Sequence, residues 1–386
     1  MLDFDANAST TPDPRVREAM WPFFGEACGN ASSPHQGGRR ALRAWQAALQ
    51  QVAELIGAQS EELVLTSGAT ESIHSVFEFV RTEWPRSTLI LGATEHAASM
   101  AAAGRWRSRG GEVKVVPVDH GGRLDLDALA HALRGTSQGA LFSLIAANNE
   151  TGVLSPVLEA AELARAAGAL VHVDAAQWVG KLPLHVGDWP VDYLSFSAHK
   201  FHGPQGIGAL WVNRRSSFRA WLGGGEQQAQ RRAGTQPLAL AVGFGEAAQL
   251  AAEWLHSGGP QVLAARRDEM EAALRAGLPE LVIHGQSVPR LPNTSFVALP
   301  GVPAADLLVV LDQRGLWCSA GSACHSGSLH PSVVLEAMGV EASLAASSLR
   351  LSLSRFHGGV EVLRGAALIL EAAAHVRRQR AALSVH

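Results

Sequence analysis

Short apolar runs alternate with amphipathic segments along the first half of the chain. An apolar run of four to eight residues predicts a buried strand, and such runs occupy residues 62–66, 87–91, 112–118, 140–146, 169–173 and 191–196. Between them, segments such as 38–56 and 158–167 repeat apolar residues at the spacing of one helix face. Apolar strands separated by helices predict an α/β fold with a mainly parallel sheet covered on both faces.

The pattern changes after the last of these strands. Residues 206–212 predict one further strand, which we expect to be antiparallel, and residues 223–235 form a loop rich in Gly, Gln and Arg. A long helical pattern covers residues 238–276. The remaining predicted strands and helices suggest a smaller α+β lobe; they lie near residues 281–285, 293–298, 304–314, 331–338, 349–352 and 360–382.

The length of the chain predicts two domains. Single hydrophobic cores stop growing near 250–300 residues, and this chain has 386. We expect a large domain over residues 15–258 and a small domain made of residues 1–14 and 259–386.

Composition narrows the classes of partner. The chain is 47% apolar and 17% charged, with a formal net charge of −3, which indicates a compact protein and argues against nucleic acid or an anionic membrane as its main partner. No apolar segment reaches the ~18 residues that a spanning helix needs. Residues 1–5 have neither the basic nor the apolar region of a signal peptide, so we expect a cytoplasmic protein.

Polar side chains gather at the ends of the predicted strands. His96, Asn149, Asp174, Gln177 and the segment 197–200 each follow an apolar strand closely. In open parallel sheets the carboxyl ends of the strands line the ligand crevice. The sequence therefore predicts that these residues share one site.

Lys200 is one of only three lysines, with Lys114 and Lys181, in a chain that otherwise uses arginine. An arginine cannot form an imine, whereas a desolvated lysine can. A lysine that bonds a carbonyl cofactor and an ordinary solvated lysine are both compatible with the local sequence.

A turn of small residues, 67–72, joins a predicted strand to a helix. Such a turn exposes backbone N–H groups at the positive end of the helix dipole and can bind a phosphate, although many strand-to-helix turns look alike. An aromatic aldehyde with a phosphate, carried by Lys200, could place that phosphate here, against Ala69, Thr70, Ser197 and His199.

The other crevice residues suit the ring of such a cofactor. Asp174 could pair with a pyridine nitrogen, although it could also cap the next helix. His96 could stack on the ring, and Asn149 and Gln177 could bond its hydroxyl oxygen. Together with Lys200, these residue types predict pyridoxal phosphate.

The three cysteines, Cys28, Cys318 and Cys324, form neither a disulfide framework nor a zinc site. Cys324 lies beside His325 in a run of small residues, 318–328, that is typical of a mobile loop. An exposed thiol there is available for chemistry, but a free cysteine without a role is the alternative. Cys318 favours a packed position, and Cys28 has no chemical context.

The blocks named above, taken in their order, resemble the cysteine desulfurase family, the NifS/IscS-like branch of the class V aminotransferases. The resemblance extends over nearly the whole chain and is carried by residues 5–10, 29–33, 67–72, 94–96, 148–150, 173–177, 197–200, 232–235, 319–324 and 349–355. It implies a pyridoxal-phosphate-dependent transferase of fold type I, with a large seven-stranded sheet domain and a smaller α+β domain. The loop 227–235 departs from the family pattern at several positions.

The resemblance also implies roles for single residues. Lys200 would bond the cofactor and move protons at the substrate Cα, and His96 would stack on the ring and assist. Asp174 would hold the pyridinium. The remaining implied cofactor contacts are Asn149 and Gln177 at the ring oxygen, and Ala69, Thr70, Ser197, His199 and Thr235 at the phosphate, the last from a second subunit of a homodimer.

For the substrate, the resemblance implies that Arg350, with Arg355 as second choice, pairs with the carboxylate of L-cysteine, and that Asn149 contributes. The Cys324 thiolate would attack the substrate sulfur, leaving L-alanine and a persulfide. That sulfur would pass to an acceptor protein, an Fe–S scaffold or similar, for Fe–S cluster or thio-cofactor synthesis.

Two other functions stay open at this point. One is a different enzyme of the same fold, an aminotransferase or a selenocysteine lyase, in which Cys324 is incidental. The other is a catalytically silent relative that serves as a binding partner, against which the presence of Lys200, Asp174, His96 and Cys324 argues.

Overall fold

The computed structural model describes residues 1–25, 27–136, 139–321 and 332–383. The strands are β1 (Leu2–Asp3), β2 (Leu63–Thr66), β3 (Thr88–Gly92), β4 (Val113–Val116), β5 (Ala140–Ile145), β6 (Leu170–Asp174), β7 (Tyr193–Ser197), β8 (Gly208–Val212), β9 (Val282–Ile283), β10 (Thr294–Ala298), β11 (Leu316–Trp317) and β12 (Ser348–Ser352). The helices are α1 (Pro14–Met20), α2 (Gln36–Leu55), α3 (Ala69–Glu83), α4 (Ala97–Ser108), α5 (Leu126–Leu133), α6 (Val157–Ala166), α7 (Gln227–Gln230), α8 (Leu238–His256), α9 (Gly259–Gly277), α10 (Ala304–Gln313), α11 (Val333–Ala337), α12 (Ala342–Ala346) and α13 (Gly359–Leu383).

A seven-stranded sheet forms the centre of the molecule, in the order β2-β8-β7-β6-β5-β3-β4. Strands β3 to β7 are parallel, and β8 runs antiparallel to both of its neighbours. This confirms the predicted α/β class, the mainly parallel sheet and the antiparallel strand expected near residues 206–212. Parallel strands meet at their carboxyl ends, so the polar residues that follow β5, β6 and β7 lie at one edge of the sheet.

Helices cover both faces of this sheet because its strands are apolar on both sides. On one face, α2 and α8 pack over buried residues such as Val52, Phe196 and Phe244. On the other, α3 and α4 bring Phe77 and Trp106 against the sheet. Among the helices that the structure describes, none is both long and apolar enough to cross a membrane.

A second, smaller core lies outside the central sheet. Strand β10 pairs antiparallel with β12 and β9, and β1 pairs parallel with β11. Helices α9, α10 and α13 pack here around buried residues that include Met270, Leu311 and Val376. The N-terminal Leu2 and Phe4 belong to this core. The domain boundaries 15–258 and 1–14 with 259–386 stay a prediction.

The long helical pattern over residues 238–276 consists of two helices. Gly258 has φ +78°, a left-handed conformation that glycine adopts without a steric cost. Helix α8 therefore ends before it, and α9 begins at the next residue with Pro260 in its first turn.

A polar row crosses the interior of the sheet. The His172 ring on β6 lies between Ser143 on β5, at 2.9 Å from Nδ1, and Ser195 on β7, at 2.8 Å from Nε2. All three residues are completely buried. Burial lowers the pKa of His172 to about 3, because a charged imidazole would lose its hydration in this apolar layer.

We expect His172 to make the fold sensitive to acid. Above its unfolded pKa of about 6.5 the imidazole is neutral in both states. As the pH falls below that value the unfolded chain takes up a proton that the native state refuses, so stability is lost with acid. Between pH 6.5 and 5 this amounts to about 2 kcal/mol. Urea unfolding of the cofactor-free protein at both pH values measures it.

The matched variant is His172→Gln, whose amide can bond both serines but does not titrate. We expect its loss of stability between pH 6.5 and 5 to be smaller than that of the wild type by about 2 kcal/mol. Equal losses in the two proteins would contradict a neutral, buried His172.

Candidate active site

Lys200 follows the carboxyl end of β7, in the 3₁₀ turn Ala198–Lys200. Its Nζ donates to the carbonyl oxygens of Asn7, at 2.7 Å, and Ala8, at 3.0 Å. The N-terminal segment is held over the turn by a further bond, from Thr10 Oγ1 to the carbonyl of His199 at 2.9 Å. Residues from the start of the chain thus form one wall of the site around the lysine.

The start of α3 and the end of β7 form a cradle of small residues. The Ala69 N–H donates to Ser197 Oγ at 2.7 Å. Gly68, which caps α3, has φ +156°, and a Cβ there would point at Ser197 Oγ from 3.5 Å. A Cβ on Gly208 would lie 2.7 Å from the Gly68 Cα. Gly208 is therefore required for the close approach of β8 to the start of α3, and Gly68 for its backbone conformation. The N–H groups at such a helix N-terminus can bind an anion.

Asp174 and His96 lie within electrostatic reach of each other and of Lys200. Asp174 is the last residue of β6, is almost completely buried, and accepts a bond from the Ala176 N–H at 3.0 Å. Burial raises its pKa, while His96, that hydrogen bond and Lys200 act in the opposite direction. A cationic group of a ligand next to this carboxylate would form an ion pair with it and offset the cost of burying its charge.

His96 caps the N-terminus of α4, and its Nδ1 accepts the Ala98 N–H at 3.1 Å. Burial lowers its pKa, with Asp174 raising it and Lys200 lowering it. A neutral ring whose Nδ1 is an acceptor carries its proton on Nε2. That nitrogen is thus the one that can donate.

A second buried acid, Glu95, lies next to His96 and was not singled out by the sequence pattern. Its Oε1 accepts the Ile145 N–H at 2.7 Å. Complete burial raises its pKa well above the usual carboxyl range, and Asp174 adds to that effect. Lys200 and His96 lower the pKa of Asp174, whereas Asp174 raises that of Glu95. Asp174 is therefore the acid of this pair that ionises more readily.

His199 lies beside Ser9, with 3.2 Å between its Nδ1 and the serine Oγ. Burial first, and then the charges of Lys200 and Lys181, lower its pKa to about 4. The ring is neutral near pH 7 and can donate one hydrogen bond to an anion.

Asn7 and Lys181 are contacts of the site that sequence reasoning missed. The Asn7 carbonyl accepts from Gln177 Nε2, at 3.0 Å, as well as from Lys200. Its side-chain Oδ1 accepts from Lys181 Nζ at 2.8 Å, and Lys181 also donates to Gln177 Oε1. These contacts of Asn7 join residues 170 to 193 positions apart, so no local pattern could indicate them.

The two candidate arginines have different surroundings. Arg350 on β12 is buried; its Nη2 bonds Asp5 at 2.7 Å, and its Nη1 bonds the Asn149 carbonyl at 3.2 Å. Its Nε has no hydrogen-bond partner within the described part of the chain. Arg355 is paired with buried Asp13 at 3.0 Å. Both arginines are therefore paired with carboxylates of the chain, Arg350 with Asp5 and Arg355 with Asp13. Arg350 differs in keeping a buried Nε–H donor without a partner among the described residues, next to Asn149.

Thr235 is exposed, and no side-chain hydrogen bond within the described residues joins it to the other site residues. Its loop is fixed nearby, because Arg232 bonds Glu71 in the first turn of α3, with 3.0 Å between Nε and Oε1. The loop contains left-handed residues at Gln228, Ala229 and Gln230. The Gln228 amide bonds both backbone groups of Leu65.

Cys324 lies outside the described residues, as do residues 322–328 of the predicted mobile loop 318–328. Gly321 and Ser332, which flank residues 322–331, both lie against buried Glu150, the residue after Asn149. Ser332 Oγ donates to Glu150 Oε2, and a Cβ on Gly321 would lie 2.9 Å from that oxygen.

The donor set of the crevice fits pyridoxal phosphate. The N-terminus of α3 with Ser197 and His199 suits a dianionic phosphate, and buried Asp174 suits a protonated ring nitrogen. The Gln177 NH₂ group lies beside Lys200, since both donate to the Asn7 carbonyl. The structure thus brings together the predicted residues that follow β2, β6 and β7. The predicted roles of Thr70 and of the Asn149 side chain stay hypotheses.

Comparison with known proteins agrees with this fit. Residues 3–363 match the family model described as aminotransferase class-V. A cysteine desulfurase of Sinorhizobium fredii is 42% identical over 356 residues, which cover 92% of this chain and 91% of the relative.

Solved structures give the same result. A NifS-like protein superposes with a TM-score of 0.89 at 32% identity, covering 97% of this chain and 99% of the other. A structure of SspA in complex with cysteine gives a TM-score of 0.81 at 28% identity, covering 93% of this chain and all (100%) of the other.

Proposed function

The chain belongs to the class V aminotransferase family and, within it, to the cysteine desulfurases, and on that premise we propose how its residues take sulfur from L-cysteine. The protein is a pyridoxal-phosphate-dependent cysteine desulfurase of fold type I. The observation that carries the assignment of residues is the meeting of Lys200, Asp174 and His96 at the carboxyl ends of β3, β6 and β7.

The cofactor would be held by residues at or just after the carboxyl ends of the strands. Lys200 would carry the aldehyde carbon, and Asp174 would face the ring nitrogen. Gln177 would donate to the ring oxygen with Asn149 beside it, and His96 would stack on the ring. The phosphate would bind the N-terminus of α3 at Ala69 and Thr70, with Ser197 and His199.

When bound, pyridoxal phosphate supplies an electron sink that stabilises negative charge at the substrate Cα. The Lys200 amine takes a proton from Cα and returns one later. The neutral His96, with its proton on Nε2, donates to or accepts from the reacting atoms. Arg350 binds the substrate carboxylate, for which the fork of a guanidinium is suited, and Arg355 stays the second candidate.

Cys324 is the proposed sulfur acceptor. Its thiolate attacks the Sγ of L-cysteine, so an S–S bond forms while the Cβ–S bond breaks. The electron pair of that bond stays with the substrate carbon, which takes up a proton and leaves as L-alanine. No external oxidant is needed, because the carbon is reduced as the sulfur is oxidised to a persulfide.

The finer assignments belong to the same proposal. We infer a homodimer in which Thr235 of the partner subunit completes the phosphate site, in keeping with the exposure of Thr235 on a loop fixed beside α3. The persulfide would pass to an acceptor protein that serves Fe–S cluster or thio-cofactor synthesis. A reactive thiol of this kind suits the reducing cytoplasm.

The test is incubation of the holoenzyme with L-cysteine, followed by mass analysis of the cysteine-containing peptides. We expect one extra sulfur on the peptide with Cys324 and none on those with Cys28 and Cys318. Cys318 serves as a matched internal control, because burial raises the pKa of its thiol far above neutral pH and it stays a thiol.

Substitution of Cys324 by Ala should abolish both the extra sulfur and the release of alanine from L-cysteine. Unchanged alanine release, or sulfide production without any modified Cys324, would instead favour direct lysis by an enzyme of the same fold. The family assignment would survive that result, but the persulfide step would not.

A further inference from the structure

Lys181 is a second buried lysine, close to the first. It lies in the turn after β6, only 6% exposed, and its Nζ donates to Gln177 Oε1 and Asn7 Oδ1. Lys200 lies on the far side of the same two residues, since Gln177 Nε2 and Lys200 Nζ both donate to the Asn7 carbonyl. Gln177 and Asn7 are thus held between two lysines.

These contacts decide which way the Gln177 amide points. Its oxygen faces the Lys181 amine, and its NH₂ group faces the Asn7 carbonyl and the Lys200 side of the site. The reversed amide would set NH₂ against the donors of Lys181 and oxygen against the Asn7 carbonyl, two repulsive contacts in a buried place. Only the observed orientation offers a donor to an oxygen beside Lys200.

The Asn7 side chain is fixed in the same way. Its Oδ1 accepts from Lys181 and from Asn293, while its Nδ2 donates to Thr294 Oγ1 at 2.9 Å and to the Asn149 carbonyl. With all its polar groups bonded, Asn7 cannot turn to replace Lys181 as partner of Gln177. Lys181 is therefore the only donor to the Gln177 carbonyl oxygen among the bonds of the described residues.

On the basis of the proposed function, we propose that Lys181 is a positioning residue. It locks Gln177 with its NH₂ group toward the ring oxygen of pyridoxal phosphate and adds a polarising donor behind that hydrogen bond. It does not touch the reacting atoms itself.

Several charged or titratable groups face Lys181. Burial first, and then Lys200 and Arg350, lower the pKa of Lys181 well below its usual range. Lys181 in turn acts on the buried rings of His199 and His202, whose pKa values are lowered to about 4 by burial above all. Both rings are neutral between pH 6 and 9, so they do not titrate in that window.

The test uses the holoenzyme and its visible absorption band. We expect Lys181→Met to raise the pH midpoint of that band by about 0.5 to 1 unit, because the ring oxygen loses an oriented donor and a nearby cationic group. The dissociation constant of pyridoxal phosphate from the apoenzyme should rise about tenfold. Lys181→Arg, which keeps the donors, should lie closer to the wild type than Lys181→Met does.

Two comparisons separate positioning from a general structural effect. Lys114→Met removes the third lysine, which lies on the edge strand β4 and bonds the Ala132 carbonyl. This variant should leave the pH midpoint and the dissociation constant unchanged. In a Gln177→Ala background, Lys181→Met should add less than a twofold change in the dissociation constant, because its route of action is already gone.

The outcomes are distinct. An unchanged midpoint and dissociation constant in Lys181→Met overturn the inference alone, whereas a wild type without any visible band in pyridoxal phosphate overturns the proposed function. Should Lys181→Met fail to fold, Lys181→Gln gives the decision: it keeps a donor, loses the cation and should shift the midpoint upward by less. No shift in that variant overturns the proposal.

Discussion

Replacing Lys200 by Ala is expected to lower the rate of alanine release from L-cysteine by at least about 10³-fold, since it removes both the attachment point of the cofactor and the base at Cα. Lys200→Arg should be equally inactive. Arginine keeps the positive charge, but its guanidinium cannot form an imine. Both variants should also lose the visible band on dialysis, which would show that the cofactor is no longer held covalently.

The fold should tolerate this change better than the chemistry does. Lys200 Nζ bonds two carbonyls of the N-terminal segment, so its loss is expected to cost about 1–3 kcal/mol of stability. A thermal melt of each variant measures that cost, and Lys114→Met is the control for the loss of a lysine as such. A Lys200→Ala enzyme that kept a tenth of the wild-type rate would refute the assignment of Lys200.

Sequence patterns were sufficient for the parts of the site that strands position. Asp174 ends a β6 whose apolar run continues to its last residue, and Lys200 follows β7 in the same way. Because parallel strands align their ends, the order of strands alone brings these side chains together. The short strands β1 and β11, two residues each, were not predicted, because a pair that short carries no periodicity.

Sequence patterns did not predict the contacts made by the N-terminal segment. Asn7 bonds Lys181 across 174 positions and Asn293 across 286. The block 5–10 that contains Asn7 carried the family resemblance, but it did not indicate these contacts. Lys181 was noted only for its rarity, since a buried lysine without a carboxylate partner cannot be distinguished from a solvated one by its neighbours. Glu95 belongs to the block 94–96 that carried the resemblance, but its burial and its bond from the Ile145 N–H, 50 positions away, had no local signal.

The second large effect is expected from Asp174→Asn, which should lower the rate of alanine release about 10²- to 10³-fold while the protein stays folded. An Asn Oδ1 can still accept the Ala176 N–H that Asp174 accepts at 3.0 Å, so the turn after β6 is preserved. The variant loses the negative charge that would hold a ring nitrogen protonated, and the electron sink weakens accordingly. The pKa of His96 should fall further, because the Asp174 charge that raises it is gone.

Glu95→Gln is the matched control, one buried acid exchanged for its amide beside the same histidine. Burial raises the pKa of Glu95 well above the usual carboxyl range, which favours its neutral form, and a Gln Oε1 can still accept the Ile145 N–H. We expect a rate within about threefold of the wild type. If Glu95→Gln were as inactive as Asp174→Asn, the ionised acid of the site would be Glu95. If Asp174→Asn were fully active, no carboxylate at the end of β6 would be needed, and the cofactor could not lie with its ring nitrogen there.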